Sequence, residues 1–312
     1  MQTTQYNFID YIASDCLEHL ADKDKKRFGL LSGFSLIDRA TGGFHGGDVI
    51  TISGRPGVGK TAFAMSMASR IAMNSNTPVM FFSLKLSTEQ LVLRFLSSFS
   101  EIPLPYLLDC SMPVEKWKEL EKARENISKM YLIINETPIE DFNTICTVAR
   151  MAVRESFIRA IFIDALHYIP VKYRQNRNRN DEIAELMFKI KALAIELDLP
   201  IIITSLLNRI DGFDELSIIE PQLHELRDSG VIEEVSDSVM FIHRPECYHI
   251  FQDDQGHDMR GLAEIHICKS ILGYTRKVTL EYKSNCAKFV PCSYSYLPYP
   301  KENQKSEDEP FP

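Results

Sequence analysis

The clearest chemistry in the chain lies in GRPGVGKT: Gly54, Arg55, Pro56, Gly57, Val58, Gly59, Lys60 and Thr61. The spacing G-x-x-x-x-G-K-[ST], between the apolar run DVITIS (48–53) and the helical TAFAMSMASRIA, is that of a phosphate-binding P-loop. Its glycines let backbone N–H groups turn inward around phosphate oxygens, the helix start adds partial positive charge, and Lys60 reaches the outer phosphates. Thr61 then holds Mg2+. Such a loop takes an acidic partner at the end of a buried strand, and Asp164 in RAIFIDALHYI fills that place. Loop and acid together predict a site for ATP, or a related nucleotide, with Mg2+.

A lysine raises the next question. In PVMFFSLKLSTE (78–89) the apolar run Val79 to Leu84 ends at Lys85, where the chain turns into a helix, with Glu89 one helical turn further on. An ammonium beside Mg2+·ATP meets a strongly negative neighbour that keeps it charged, so it holds phosphate rather than accepting a proton. The plain alternative is a solvent-facing lysine with no role.

These residues need a scaffold, and the pattern supplies one. DVITIS, VMFFSL (79–84), YLIIN (131–135), AIFID (160–164) and PIIITS (200–205) read as short, almost wholly apolar strands. Helical periodicity occupies about 60–73, 87–99, 141–157 and 180–197 between them. This alternation predicts an α/β domain with a mostly parallel sheet flanked by helices, with ligands at the carboxyl ends of the strands. After residue 238, SVMFIH, LAEIHICK and KVTLEY follow without long helices, which predicts an antiparallel C-terminal extension of the same sheet. Residues 1–28 read as an amphipathic helix with a charged end, 29–295 as the main domain, and 296–312 as a polar, proline-containing disordered tail. No internal repeat is visible.

Composition excludes more than it selects. With 312 residues, 45% hydrophobic and 25% charged, the chain can bury a full core, and a net charge of −8 does not advertise nucleic acid. Its seven cysteines, an odd number, include no C-x-x-C pair, which argues against both a zinc site and a disulfide framework. There is neither a signal-like start nor a run approaching the roughly 18 apolar residues of a membrane span. The expectation is a soluble, cytoplasmic protein with reduced thiols.

The motifs also resemble a family. LLSGFSLIDRATGGFHGGDVITISGRPGVGKTAFAMSMA, VMFFSLKLSTEQLVLRFLS, AIFIDALHYI, AELMFKIKALAIELDLPIIITSLLNR and LHELRDSGVIEEVSDSVMFIHRPECY are similar, in order and spacing, to the C-terminal motor domain of DnaB-type replicative DNA helicases. The resemblance runs from about residue 29 to 282, and LRDSGVIEEVSDSVMFIHR carries it most specifically. It implies a RecA-like fold and a hexameric ring around single-stranded DNA, with nucleotide between neighbouring subunits. Residues 5–21 resemble the family's linker helix, which docks on the next subunit. Arg227 and Gly230 match positions implied in DNA contact. The basic stretch KYRQNRNRN (172–180), with Lys172, Arg174, Arg177 and Arg179, follows the Asp164 strand where an inner DNA-facing loop belongs, although it also reads as a solvated surface loop.

The departures from the family fall on its chemistry. Its Phe-Ser-Leu-Glu-Met, whose glutamate is the general base, is FSLKL here, with Lys85 at the base position. Its Ser-Gln-Leu, whose glutamine senses the γ-phosphate, is Ser205-Leu206-Leu207. Its Lys-x-Arg finger pair becomes KSILG, with Lys269 kept and Ile271 in place of the arginine. Losing a base costs about 10²–10⁴ in rate, and losing a finger about 10³–10⁵. That is roughly 3–5 and 4–7 kcal/mol of barrier. The resemblance therefore implies binding of ATP, Mg2+ and single-stranded DNA with weak or absent hydrolysis, in a homo-oligomer or a ring mixed with an active homologue. The alternative is a fully active ATP-dependent helicase in which Glu89 and Lys269 substitute. Another RecA-like ATPase, such as a recombinase or clock-type kinase, is the remote reading.

Overall fold

A computed structural model describes residues 9, 29–74, 77–171, 178–207, 220–226, 230–253 and 255–292. The expected linker helix apart from Ile9, the stretch 172–177, Arg227 and the expected tail lie outside the described residues.

Among the described residues, one nine-stranded sheet runs in the order β3-β2-β4-β5-β1-β6-β7-β8-β9. Six strands are parallel: β1 (Val49–Gly54), β2 (Val79–Ser83), β3 (Leu132–Ile134), β4 (Ala160–Asp164), β5 (Ile201–Leu206) and β6 (Ser238–His243). The extension β7 (Leu262–Lys269), β8 (Arg276–Lys283) and β9 (Lys288–Pro291) is antiparallel, as the turn-rich connections predict. Among the described strands the sequence pattern finds all but β9, whose KFVP has only two strand-forming residues between Lys288 and Pro291 and no apolar run to mark it.

Each face of the sheet is covered, which is why the central strands are apolar throughout. On one face Ile50, Ile52, Phe81 and Phe162 pack against α1 (Ser35–Thr41) and α2 (Lys60–Met73). On the other, Val49, Phe82, Ile161 and Ile203 meet α6 (Phe142–Ser156) and α7 (Arg179–Leu197). Between them in sequence lie α3 (Thr88–Ser100), α4 (Leu104–Leu108) and α5 (Trp117–Ile127), and α8 (Gly230–Val235) precedes β6. Helix α2 buries residues almost all round, Ala62 to Ser69 without a break, because it lies between the sheet and the extension. Its small side chains make that close approach possible. The start of α3 is fixed by a capping box, in which the Ser87 hydroxyl accepts from the Gln90 N–H and the Gln90 side chain accepts from the Ser87 N–H. That cap ends the turn carrying Lys85. Strand order puts β1 between β5 and β6, and the carboxyl ends of β1, β2, β4 and β5 meet along one edge.

Candidate nucleotide site

The loop from Gly54 to Thr61 leaves β1 at that edge and enters α2 at Lys60. Gly59, at φ +99, adopts a backbone that other residues rarely take, and a Cβ there would stand 3.2 Å from the Phe289 ring and 3.5 Å from Tyr282. Two aromatic side chains of the extension thus support the loop from below.

The Lys60 ammonium donates to the carbonyls of Gly54 (2.7 Å) and Arg55 (2.9 Å), so the lysine closes the loop on itself. Its pKa is pulled down to about 8, first by burial and then by the positive charge of Lys85, while Asp164 opposes the shift. Lys85 is exposed at the end of β2 and lies within electrostatic reach of Lys60. The turn beneath it is held by the Ser83 hydroxyl, which donates to the Leu86 carbonyl (2.8 Å).

Asp164 is the buried counterpart, 1% exposed. Its carboxylate accepts from the Thr61 hydroxyl at 2.8 Å and from the Thr204 hydroxyl at 2.5 Å. Two hydroxyls, a buried carboxylate, an ammonium and a helix start form a donor set suited to Mg2+ and a polyphosphate. The expected pair is therefore brought together, and Thr204 is an addition that the sequence reading missed. Its signal was a threonine interrupting the apolar PIIITS, one residue beyond the β4 register pair Ile163↔Ile203.

The other expected positions separate into near and far. Leu206 ends β5 directly beside Gly54 in the parallel register, and its N–H donates to His167 Nε2 at 3.2 Å. Glu89 is exposed in the first turn of α3. Ile271 is remote. Because β7 runs antiparallel to β6, the turn after Lys269 lies at the opposite edge of the sheet from Gly54. Lys269 donates to the Glu233 carbonyl (2.7 Å) and Glu234 carbonyl (3.2 Å) near the end of α8. Arg179 is not in a loop. It opens α7, pairs with Glu182 at 2.8 Å and donates to the His167 carbonyl at 3.0 Å, because a helix start here meets an acidic first turn. Gly230 opens α8 and is exposed; Lys172, Arg174, Arg177 and Arg227 lie outside the described residues.

A further link was not foreseen. Arg55, inside the P-loop, pairs at 3.0 Å with Glu225, which is buried and whose Oε1 has no partner among the described residues. The loop is thus tied to the segment that precedes LRDSG.

A sheet-edge P-loop, a buried aspartate two strands away and a mostly parallel sheet define an α/β P-loop nucleotide-binding domain. Comparison with known proteins refines this. Residues 29–291 match the DnaB-like helicase C terminal domain, and the chain belongs to that family. Replicative DNA helicase DnaB of Geobacillus stearothermophilus is 34% identical over 276 residues, 88% of this chain and 59% of that protein. Replicative DNA helicase DnaC of Bacillus subtilis (strain 168) is 33% identical, with coverage of 88% and 59%. The chain thus spans about three fifths of the length of these relatives. Among solved structures, one described as an ATPase domain superposes with a TM-score of 0.79 at 26% identity, covering 92% of this chain and all of that one. "The Structure Of A DnaB-Like Replicative Helicase And Its Interactions With Primase" gives 0.80 at 26% identity, covering 91% and 68%. The architecture is thus the RecA-like one that the motifs implied. Among the described residues no helix is long and apolar enough to cross a membrane.

Proposed function

We propose that this chain is a DnaB-like helicase domain that binds ATP with Mg2+ and single-stranded DNA, assembles as a ring in the cytoplasm, and hydrolyses nucleotide weakly or not at all. The observation that carries the reading is the pair Lys60 and Lys85, two ammonium groups within electrostatic reach at the phosphate edge, where the family places a lysine and a glutamate. The P-loop N–H groups and Lys60 would hold the phosphates, and Thr61, Asp164 and Thr204 would hold Mg2+ or its water. Bound Mg2+ would supply charge neutralisation along the phosphates. Lys85 adds a second cation there and cannot take a proton from water while charged. Leu206, beside Gly54, offers no side-chain hydrogen bond to a phosphate. Ile271 offers a neighbouring subunit no charge.

The second reading, a fully active ATP-dependent helicase, rests on Glu89 one turn beyond Lys85. Glu89 then serves as base and Lys269 as the trans cation. The engagement of Lys269 with the Glu233 and Glu234 carbonyls weighs against the latter.

The test is paired: equilibrium ATP binding and DNA-stimulated hydrolysis, for the native chain and for Lys85→Glu. Tight binding with negligible native turnover is expected. Lys85→Glu should raise hydrolysis only slightly, since Leu206 and Ile271 remain and such residues act as a unit. Native turnover at ordinary motor rates would overturn the proposal in favour of the active reading.

A further inference from the structure

The charged P-loop side chain that the proposed phosphate contacts leave unused is Arg55, and its partner is a buried acid. Glu225 ends the short 3-10 turn Leu223–Glu225, and the next residue, Leu226, pairs with Leu207 just past the end of β5. Leu207 in turn donates its N–H to the Gly54 carbonyl at 3.4 Å. The acid is therefore packed against the root of the P-loop, its side chain 4% exposed against 21% for Arg55.

The ion pair is only half made. Arginine and carboxylate frequently meet through two parallel N–H···O bonds. Here Arg55 Nη2 donates to Glu225 Oε2 at 3.0 Å, Glu225 Oε1 accepts nothing, and the other N–H groups of the guanidinium have no acceptor among the described residues. A buried carboxylate oxygen without a donor is costly, so its place beside the P-loop needs a reason. The loop is also closed on itself, because Lys60 donates to the Gly54 and Arg55 carbonyls. A polyphosphate that draws Lys60 to its own oxygens removes the bond on the Arg55 carbonyl and brings a second anion to the same guanidinium.

We infer that the Arg55 side chain is a phosphate ligand held in reserve, and that Glu225 is the acid that holds it. This rests on the nucleotide reading above and adds to it the residue that sets affinity. Phosphate and Glu225 compete for one guanidinium, and like charge drives the carboxylate away from the incoming phosphate. Once Arg55 turns to the nucleotide, a buried carboxylate has lost the cation it pairs with, so the turn Leu223–Glu225 leaves its place against β5. Part of the binding free energy of ATP goes into that release. Affinity is lowered by it, and the position of the turn comes to depend on whether the loop is filled. Glu225 is thus a positioning residue, acting on the phosphates only through Arg55.

The experiment measures equilibrium binding of Mg2+·ATP and of inorganic tripolyphosphate to the full chain and to Glu225→Gln, Arg55→Gln and the double variant. Glu225→Gln keeps the shape of the side chain and removes its charge. It should bind both ligands at least about fivefold tighter, whereas loss of a merely structural contact would weaken binding. Arg55→Gln should bind more weakly, and adding Glu225→Gln to it should change affinity by less than about twofold, because the acid has no guanidinium left to hold. Hydrogen exchange of the native chain gives a second reading that needs no variant. The Glu225 and Leu226 amides, bonded to the Gln222 and Leu223 carbonyls at 3.0 and 3.1 Å, should exchange faster when tripolyphosphate is bound. Native ATP binding with a Glu225→Gln affinity unchanged or weaker overturns the inference and leaves the nucleotide reading intact. So does tightening that persists in the Arg55→Gln background, which would make Glu225 a simple source of negative field, and so do amides whose exchange ignores the ligand. Failure of every form to bind either ligand overturns the nucleotide reading itself, and the inference with it.

Discussion

At the scale of single residues, the interaction between Lys60 and Lys85 has a consequence in pH. Lys60 has its pKa lowered to about 8 by burial and by Lys85, against an ordinary value of 10.5. Between those values the unfolded chain holds a proton that the folded chain has lost, so this group makes stability rise with pH across that window. Nucleotide binding has the opposite dependence. Phosphate oxygens need the charged ammonium, so ATP affinity should fall as pH rises through about 8, and binding near that pH should take up a fraction of a proton. In Lys85→Ala the repulsion is gone, Lys60 stays charged to higher pH, and the fall in affinity should move upward with it. Titration calorimetry in buffers of different ionisation enthalpy measures both effects. No proton uptake near pH 8, or an inflection that ignores position 85, would separate the two lysines. Thr204 belongs to the same scale: its hydroxyl, with that of Thr61, leaves both Asp164 oxygens hydrogen-bonded in a buried site.

Among the elements, β9 bears most on the site for its length. Its Phe289 is 1% exposed, packs edge-on to Phe63 of α2 at 5.2 Å and on Tyr282 at 4.7 Å, and lies beneath Gly59. Its backbone N–H donates to Ser66 of α2 at 3.1 Å. Phe289→Ala should therefore cost about 3–5 kcal/mol of stability, and ATP affinity should fall as well because the loop loses its floor. Denaturant unfolding and nucleotide titration check the two halves, and a variant destabilised with unchanged affinity would confine Phe289 to the core. This strand also marks the limit of what the sequence reveals. GRPGVGKT and Asp164 were legible because a local pattern specifies their geometry, and the central parallel strands were legible because burial on both faces makes them continuously apolar. Phe289, Glu225 and His167 were not, since each matters through a partner distant in sequence. The pairing of Arg55 with Glu225 spans 170 positions, and no periodicity encodes such a contact. Arg179 misled for a related reason: a basic run reads as loop until its last arginine is seen to open a helix against Glu182.

For the whole molecule, the antiparallel turn after β7 decides what Ile271 can touch. It lies across the sheet from the chain's own P-loop, so it can reach a nucleotide only on another copy. The turn exposes Ile271 (53%), Leu272 (49%) and Tyr274 (59%), an apolar group where the family presents a charged finger. In the proposed ring, an apolar turn would contribute burial at a subunit boundary and no charge to a phosphate, which would separate assembly from hydrolysis. Exposed apolar groups gain about 25 cal/mol per Å² when covered, so replacing two of them with carboxylates should oppose assembly without disturbing either fold or the distant P-loop. Sedimentation velocity with Mg2+·ATP should therefore show a large assembled species for the native chain and mainly protomer for Ile271→Asp/Leu272→Asp, while ATP affinity measured at dilution agrees within about twofold, a difference well under 1 kcal/mol. Assembly that survives the double change would place the boundary elsewhere. A parallel loss of nucleotide affinity would mean that the turn and the P-loop are coupled within one chain, contrary to their places at opposite edges of the sheet.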